Sequence, residues 1–160
     1  MSIRTLFLPA CLCAALACPA TAAAPATPGA SVYDEALARQ LGADQHGMRK
    51  YVLVILKTGP TPVPKGEARD AMFRGHFANM QRLADAGVLV QAGPLDGVDG
   101  WRGLFVLAVD SIDAAREHVA SDPVVSNGEM VPEFHTYYGS AALMRLNAIH
   151  NTLVKPEQAP

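Results

Sequence analysis

His76 is the most pointed chemical signal in this chain of 160 residues. Residues 67–86 repeat their apolar side chains with helical period. At about 100° per residue, Met72, Phe73, Met80, Leu83 and Ala84 share one stripe, with His76 near its centre. A helix that only packs would carry leucine there. A buried imidazole must find a partner for each polar nitrogen or lose on the order of 1–3 kcal/mol per unmet group. Gly75 beside it weakens a helix by about 1 kcal/mol relative to alanine and leaves space next to the ring. Two costly choices at one spot are what a functional site looks like. The alternative is a core histidine satisfied by backbone or water.

Other residue types add to this signal. Strand alternation over 129–138 puts Val131, Glu133, His135 and Tyr137 on one face. That mixture of polar and aromatic groups suits a lined cavity, or else a solvated edge, and it makes Glu133 and His135 candidate substrate-binding residues. Arg102 follows the polar, glycine-rich stretch Asp96 to Gly100. It reads either as a holder of an anionic or phenolate oxygen or as a solvated loop charge. Asp122-Pro123 by itself is a turn pair. His76, His135 and Glu133 would make a ligand set for zinc, but they come from distant segments without a spacing signature, so no metal is expected. There is no phosphate-cradling glycine loop, dinucleotide fingerprint or Gly-x-Ser-x-Gly motif, so no cofactor is expected either. General acid–base work by an imidazole is the chemistry these residues support.

The elements that must position them follow from periodicity. Residues 50–56, KYVLVIL, read as a strand ended by Gly59-Pro60, and 67–86 as a helix stopped by Gly87. Residues 88–92 and 103–109 read as two further strands. Ser111 caps a helix over 112–120, and 129–138 is a fourth strand in which Pro132 marks an edge or a bulge. The order β-α-β-β-α-β is the ferredoxin-like arrangement of an α+β domain over 48–140. KYVLVIL and LFVLAV are apolar at odd and even positions, so both faces of the sheet want burial. Two helices cover one face. A second copy is expected to cover the other, giving a homodimer with the two sheets face to face. Cover by residues 141–149 or by the N-terminal segment is the alternative.

His76 is followed by Gly87, Ala92-Gly93-Pro94, Asp122-Pro123 and Gly128, and the run GHFANMQRLADAGVLVQAGP contains the helix histidine. This pattern, over about residues 48–140, resembles the YciI-like (YCII-related) domain family. Arg102-Gly103 and Glu133-Phe134-His135 resemble a subgroup whose last strand reads Glu-x-His-Pro-Trp, although Thr136 and Tyr137 stand here in place of its final two residues. The resemblance implies a dimeric α+β barrel and an active-site pair, here His76 and Asp122. It implies activity of a lyase or dehydrochlorinase kind on a small anionic or phenolic molecule. A non-catalytic dimeric module holding a small ligand is the competing expectation.

Composition bounds the rest. Half of the chain is hydrophobic and 18% is charged, which suits one domain rather than a disordered chain. A net charge of −2 and 6% aromatics argue against a nucleic-acid partner. Residues 1–22 have the layout of a secretory signal peptide: Arg4, an apolar run from Leu6 to Ala17, and Ala20-Thr21-Ala22. The run is too short for a comfortable membrane span, so the mature chain is expected to be periplasmic or secreted, without stable membrane insertion. An uncleaved anchor is the alternative, and processing as a lipoprotein at Cys18 is a further one that matches poorly. All three cysteines, Cys11, Cys13 and Cys18, fall in this leader, so a cleaved chain has neither disulfide nor thiolate chemistry. Residues 23–47 read as a linker with a possible short helix capped by Ser31, and the sequence does not decide whether that helix packs on the domain or stays mobile. Residues 141–149 read as a short terminal helix, and 150–160 as a disordered tail.

Overall fold

A computed structural model of the chain describes residues 32–155. The expected leader, the first part of the linker and the last five residues lie outside the described residues. From Asp34 onward the elements run α1 (Glu35–Leu41), β1 (Met48–Thr58), α2 (Glu67–Asp85), β2 (Leu89–Pro94), β3 (Trp101–Leu107), α3 (Ile112–Ala120), α4 (Pro123–Ser126), β4 (Met130–Ser140) and α5 (Leu146–Leu153). Short 3-10 turns occupy Val98–Gly100 and Ala141–Arg145. The four strands form one antiparallel sheet in the order β2-β3-β1-β4. With α2 and α3 this is the ferredoxin-like arrangement. Pro132 falls on the edge strand β4, where a missing N–H costs no ladder bond on the open side.

β1 is continuously apolar because it is central and buried on both faces. Val52, Val54 and Leu56 point to one side, with Phe105, Leu107, Leu89 and Met130. There they meet Met72 and Leu83 of α2, Ala115 and Val119 of α3, and Val124 of α4. Tyr51, Val90 and Val106 point to the other side. β1 and β4 pair along all eleven residues, from Met48 opposite Ser140 to Thr58 opposite Met130. Backbone pairing therefore carries both strands past the ends that side-chain pattern alone suggests.

Two expectations change, and one open question closes. Part of the second face is covered from within the chain. Leu143 and Met144, in the turn before α5, pack on Tyr51, Val90 and Val106, and Asn147 Nδ2 donates to the Leu89 carbonyl at 2.8 Å. α5 then runs to Leu153, into the stretch expected to be disordered from residue 150. Finally, the residues from Asp34 to Gly47, which the sequence leaves either packed or mobile, are docked. α1 is capped by Asp34, which accepts from the Leu37 N–H at 2.9 Å, and not by Ser31. Arg49 donates to the Leu41 carbonyl, Tyr138 Oη donates to Asp44, and the Ala141 N–H donates to the Gly47 carbonyl. Gly42 ends α1 with φ 67°, a conformation glycine adopts without strain.

Candidate active site

α2 carries His76 toward the sheet because its apolar stripe must face Phe105 and Leu83 must enter the core. The imidazole is 7% exposed. Its ring lies 5.9 Å from that of Phe105 in a stacked orientation, with Phe73 and Phe77 at 6.1 and 5.4 Å. Asp122, 46 residues away, is completely buried and presents both carboxylate oxygens to His76 Nδ1 at 2.9 Å. The turn pair Asp122-Pro123 is in fact a helix start. Asp122 caps α4 by accepting from the Val124 N–H at 3.1 Å, and Pro123 takes the first position, where its missing N–H is harmless.

Gly75 has a different role from the one expected. It does not leave space beside the ring. A Cβ there would stand 2.9 Å from Pro123 Cγ, so glycine lets α4 come close enough to bring Asp122 to His76. Asn79, one turn beyond His76 on α2, donates from Nδ2 to Asp122 Oδ2 at 3.0 Å and accepts from Arg82 Nη2 at 2.7 Å. Sequence reasoning missed Asn79, although its spacing of three from His76 was the available signal.

His76 borders a cavity of about 410 Å³ between α2 and the β2–β3 end of the sheet. Phe73, Phe77, Met80, Phe105 and Met130 make its apolar walls, and Gly93, Pro94 and Gly103 let backbone line it closely. Nε2 has no protein partner among the described residues. It is not sealed off either, since no buried side-chain nitrogen or oxygen among them lacks a partner. It therefore opens toward the cavity.

Arg102 reaches the same cavity through a local irregularity. Leu56 pairs with Gly103 but Lys57 pairs with Trp101, so Arg102 is the extra residue of a β-bulge. Plain alternation would put it on the face opposite Gly103 and Phe105. The bulge re-aims it toward the helices. There its guanidinium lies 3.6 Å from Glu129, which also accepts from Arg69 at 2.7 Å and from the Val63 N–H at 2.7 Å. Glu129 is 2% exposed. Burial works to raise its pKa, but the Val63 N–H and the two guanidiniums outweigh it and hold the carboxyl below its ordinary value of 4.5. Glu129 also escaped sequence reasoning, because an acid after Asn127-Gly128 looks like a solvated turn residue.

Glu133 and His135 are not in this cavity. They pair across β1 with Ile55 and Leu53 and so share the second face of the sheet, away from His76. There His135 Nε2 and Glu133 Oε1 are 2.8 Å apart, and Lys57 lies 3.3 Å from the other oxygen. Glu133 is held below its ordinary pKa first by His135 and then by Lys57. The sheet separates these two residues from the cavity that holds His76, so the three do not converge as a ligand set. Among the described residues no group of three or more acids and histidines could hold a metal ion, and no helix is long and apolar enough to cross a membrane.

A family model described as the YCII-related domain matches residues 50–132, which include His76, Asn79, Arg102, Asp122 and Glu129. No curated protein matches the chain. Among solved structures, the chain is similar to 5-chloro-2-hydroxyhydroquinone dehydrochlorinase from Burkholderia phenoliruptrix AC1100, in complex with 2,5-dihydroxybenzoquinone. Identity is 17% and the TM-score 0.37, over 54% of this chain and 90% of that chain.

Proposed function

The chain belongs to the YCII-related domain family, and we propose that it is an enzyme that performs general acid–base chemistry at His76 on a small ring compound bearing an anionic or phenolic oxygen. The observation that carries this reading is the buried His76–Asp122 contact on the wall of a cavity large enough for such a ring. Three phenylalanines and two methionines suit a flat apolar body. The bulge-directed Arg102 supplies a guanidinium whose contact with Glu129 is long, so it keeps donors for a substrate oxygen.

The reaction class is elimination or a related proton transfer. Nε2 of His76 takes a proton from a saturated ring carbon, such as the keto tautomer of a phenol presents, and the electron pair of that C–H bond forms the new double bond. A halide or similar leaving group departs from the neighbouring carbon with its own electron pair. Asp122 stabilises the imidazolium that forms, and passing the proton to water resets the site. The step as written uses only side chains of this chain. Glu133 and His135 take no part in it.

The same proposal has the mature chain exported to the periplasm or beyond, on the layout of residues 1–22. It also has the chain paired with a second copy through the second sheet face. Val131 and Tyr137 remain 45% and 39% exposed on that face.

The test is a thermal-shift screen of phenols and small ring acids on the wild type and on His76→Ala, followed by assay of each hit for turnover. A compound that stabilises the wild type should be consumed by it and left intact by the folded variant. Equal consumption by both proteins would sink the catalytic role of His76. Binding without consumption of any hit would make the protein a ligand-binding module instead.

A further inference from the structure

We infer that Asn79, oriented by Arg82, is a positioning residue that fixes His76 as a proton acceptor in the resting protein, which deepens the proposed reaction and rests on it for its consequence. The argument is one of donors and acceptors. A guanidinium has only donors, and Arg82 Nη2 lies 2.7 Å from one terminal atom of Asn79, so that atom is the amide oxygen. The flipped amide would set donor against donor at Arg82 and oxygen against oxygen at Asp122. Asn79 Nδ2 therefore faces Asp122 Oδ2 at 3.0 Å and donates to it. The Val124 N–H, which can only donate, faces Oδ1 at 3.1 Å. Each carboxylate oxygen thus already accepts from a group with no other option. With the carboxylate ionised, what remains toward the imidazole is acceptor, and Nδ1 at 2.9 Å is the donor.

A neutral imidazole has one N–H. With that hydrogen on Nδ1, Nε2 turns a lone pair toward the cavity. In that neutral form the first event at this site is removal of a proton from the bound molecule, not delivery of one. This narrows the substrate class to rings that present an acidic C–H or O–H to His76 and an anionic oxygen to Arg102. Asn79 does not line the cavity, and its side-chain hydrogen bonds go to Asp122 and Arg82. It acts through Asp122, and Arg82 acts through Asn79.

The experiment uses the full chain with nitrogen-15 histidine, reading both ring nitrogens of His76 at a pH where the ring is neutral. In the wild type, Nδ1 should resonate as a protonated nitrogen and Nε2 as an unprotonated one. The Nδ1–H form should exceed the other by roughly tenfold or more, the ratio that a charge-assisted hydrogen bond sustains. Asn79→Ala should cut that excess to a few-fold, since the carboxylate loses the bond that orients it. Arg82→Ala, at an exposed position, should move it the same way by less, and it carries the test alone if Asn79→Ala does not fold. Gln81→Ala, on the same helix but bonded to Asp85, should change nothing. An Nε2–H ring in the wild type, or an Asn79→Ala spectrum equal to that of the wild type, would overturn the inference. The spectrum does not depend on turnover. A protein with the expected nitrogens that consumes no compound would refute the proposed enzyme and leave this inference standing.

Discussion

At the scale of single residues, the site is built from two acids that burial should penalise and that their donors rescue. Asp122 accepts from an imidazole, an amide and a backbone N–H. Glu129 accepts from Arg69 and the Val63 N–H, with Arg102 close by. The lowered pKa of Glu129 makes it a source of acid sensitivity. A group held below its unfolded value contributes stability that is fully present above that value. The contribution is lost as pH falls through the lowered native value. Glu129→Gln should therefore flatten the acid limb of a denaturation midpoint measured from about pH 6 to about pH 3. At neutral pH the same variant should be less stable by about 2–3 kcal/mol, because two guanidiniums lose a buried charged partner while keeping access to water. An acid limb as steep in the variant as in the wild type would remove Glu129 from this role.

At the scale of elements, two departures from regularity assemble the cavity. One is Gly75 inside α2, where α4 rests against the helix backbone. Gly75→Ala should gain about 1 kcal/mol in helix propensity. It should lose more by overpacking, which typically costs about 1–3 kcal/mol, since a new Cβ meets Pro123. The expected sum is a modest loss of stability, read by urea denaturation. A larger effect is expected on ligand-induced stabilisation, because α4 must retreat and take Asp122 with it. A variant with unchanged ligand response would show that the contact of α2 with α4 does not set the His76 geometry. The other departure is the bulge opposite Leu56 and Lys57, which turns Arg102 to the side of the sheet that holds His76.

At the scale of the whole molecule, the sheet has two faces and two different covers. Helices α2, α3 and α4 close one face. The turn before α5 closes part of the other, over Tyr51, Val90 and Val106. The half-exposed Val131 and Tyr137 stay uncovered among the described residues, and the proposed pairing would place a second copy there. Light scattering at micromolar concentration should report a dimer, and Tyr137→Asp should shift it toward monomer by placing a charge in that contact. A wild-type monomer across that range would end the pairing proposal and leave α5 and its turn as the cover supplied by the described residues.

Much of the fold was legible because its signals are local. Helical period over 67–86, doubly apolar strands and Ser111 as a cap all concern neighbours in the chain. They name the elements and put His76 on an apolar stripe. The strand ends were less legible, since the ladder between β1 and β4 extends both beyond their apolar runs. The site was half legible. His76 stood out by its own misplacement, and Asp122 became its partner only through a family resemblance. Alternation grouped Glu133 with His135 correctly but could not say which face of the sheet they would occupy.

The residues alone thus determined which segments are strands and helices, since side-chain period is a property of consecutive positions. Tertiary structure decided who meets whom. Bringing Asp122 to His76 across 46 residues depends on α4 packing against a glycine. Turning Arg102 inward depends on a register slip between two strands. Covering the second face depends on where the chain goes after β4. None of these is periodic, because each is fixed by contacts between distant parts of the chain rather than by the order of residues within one part.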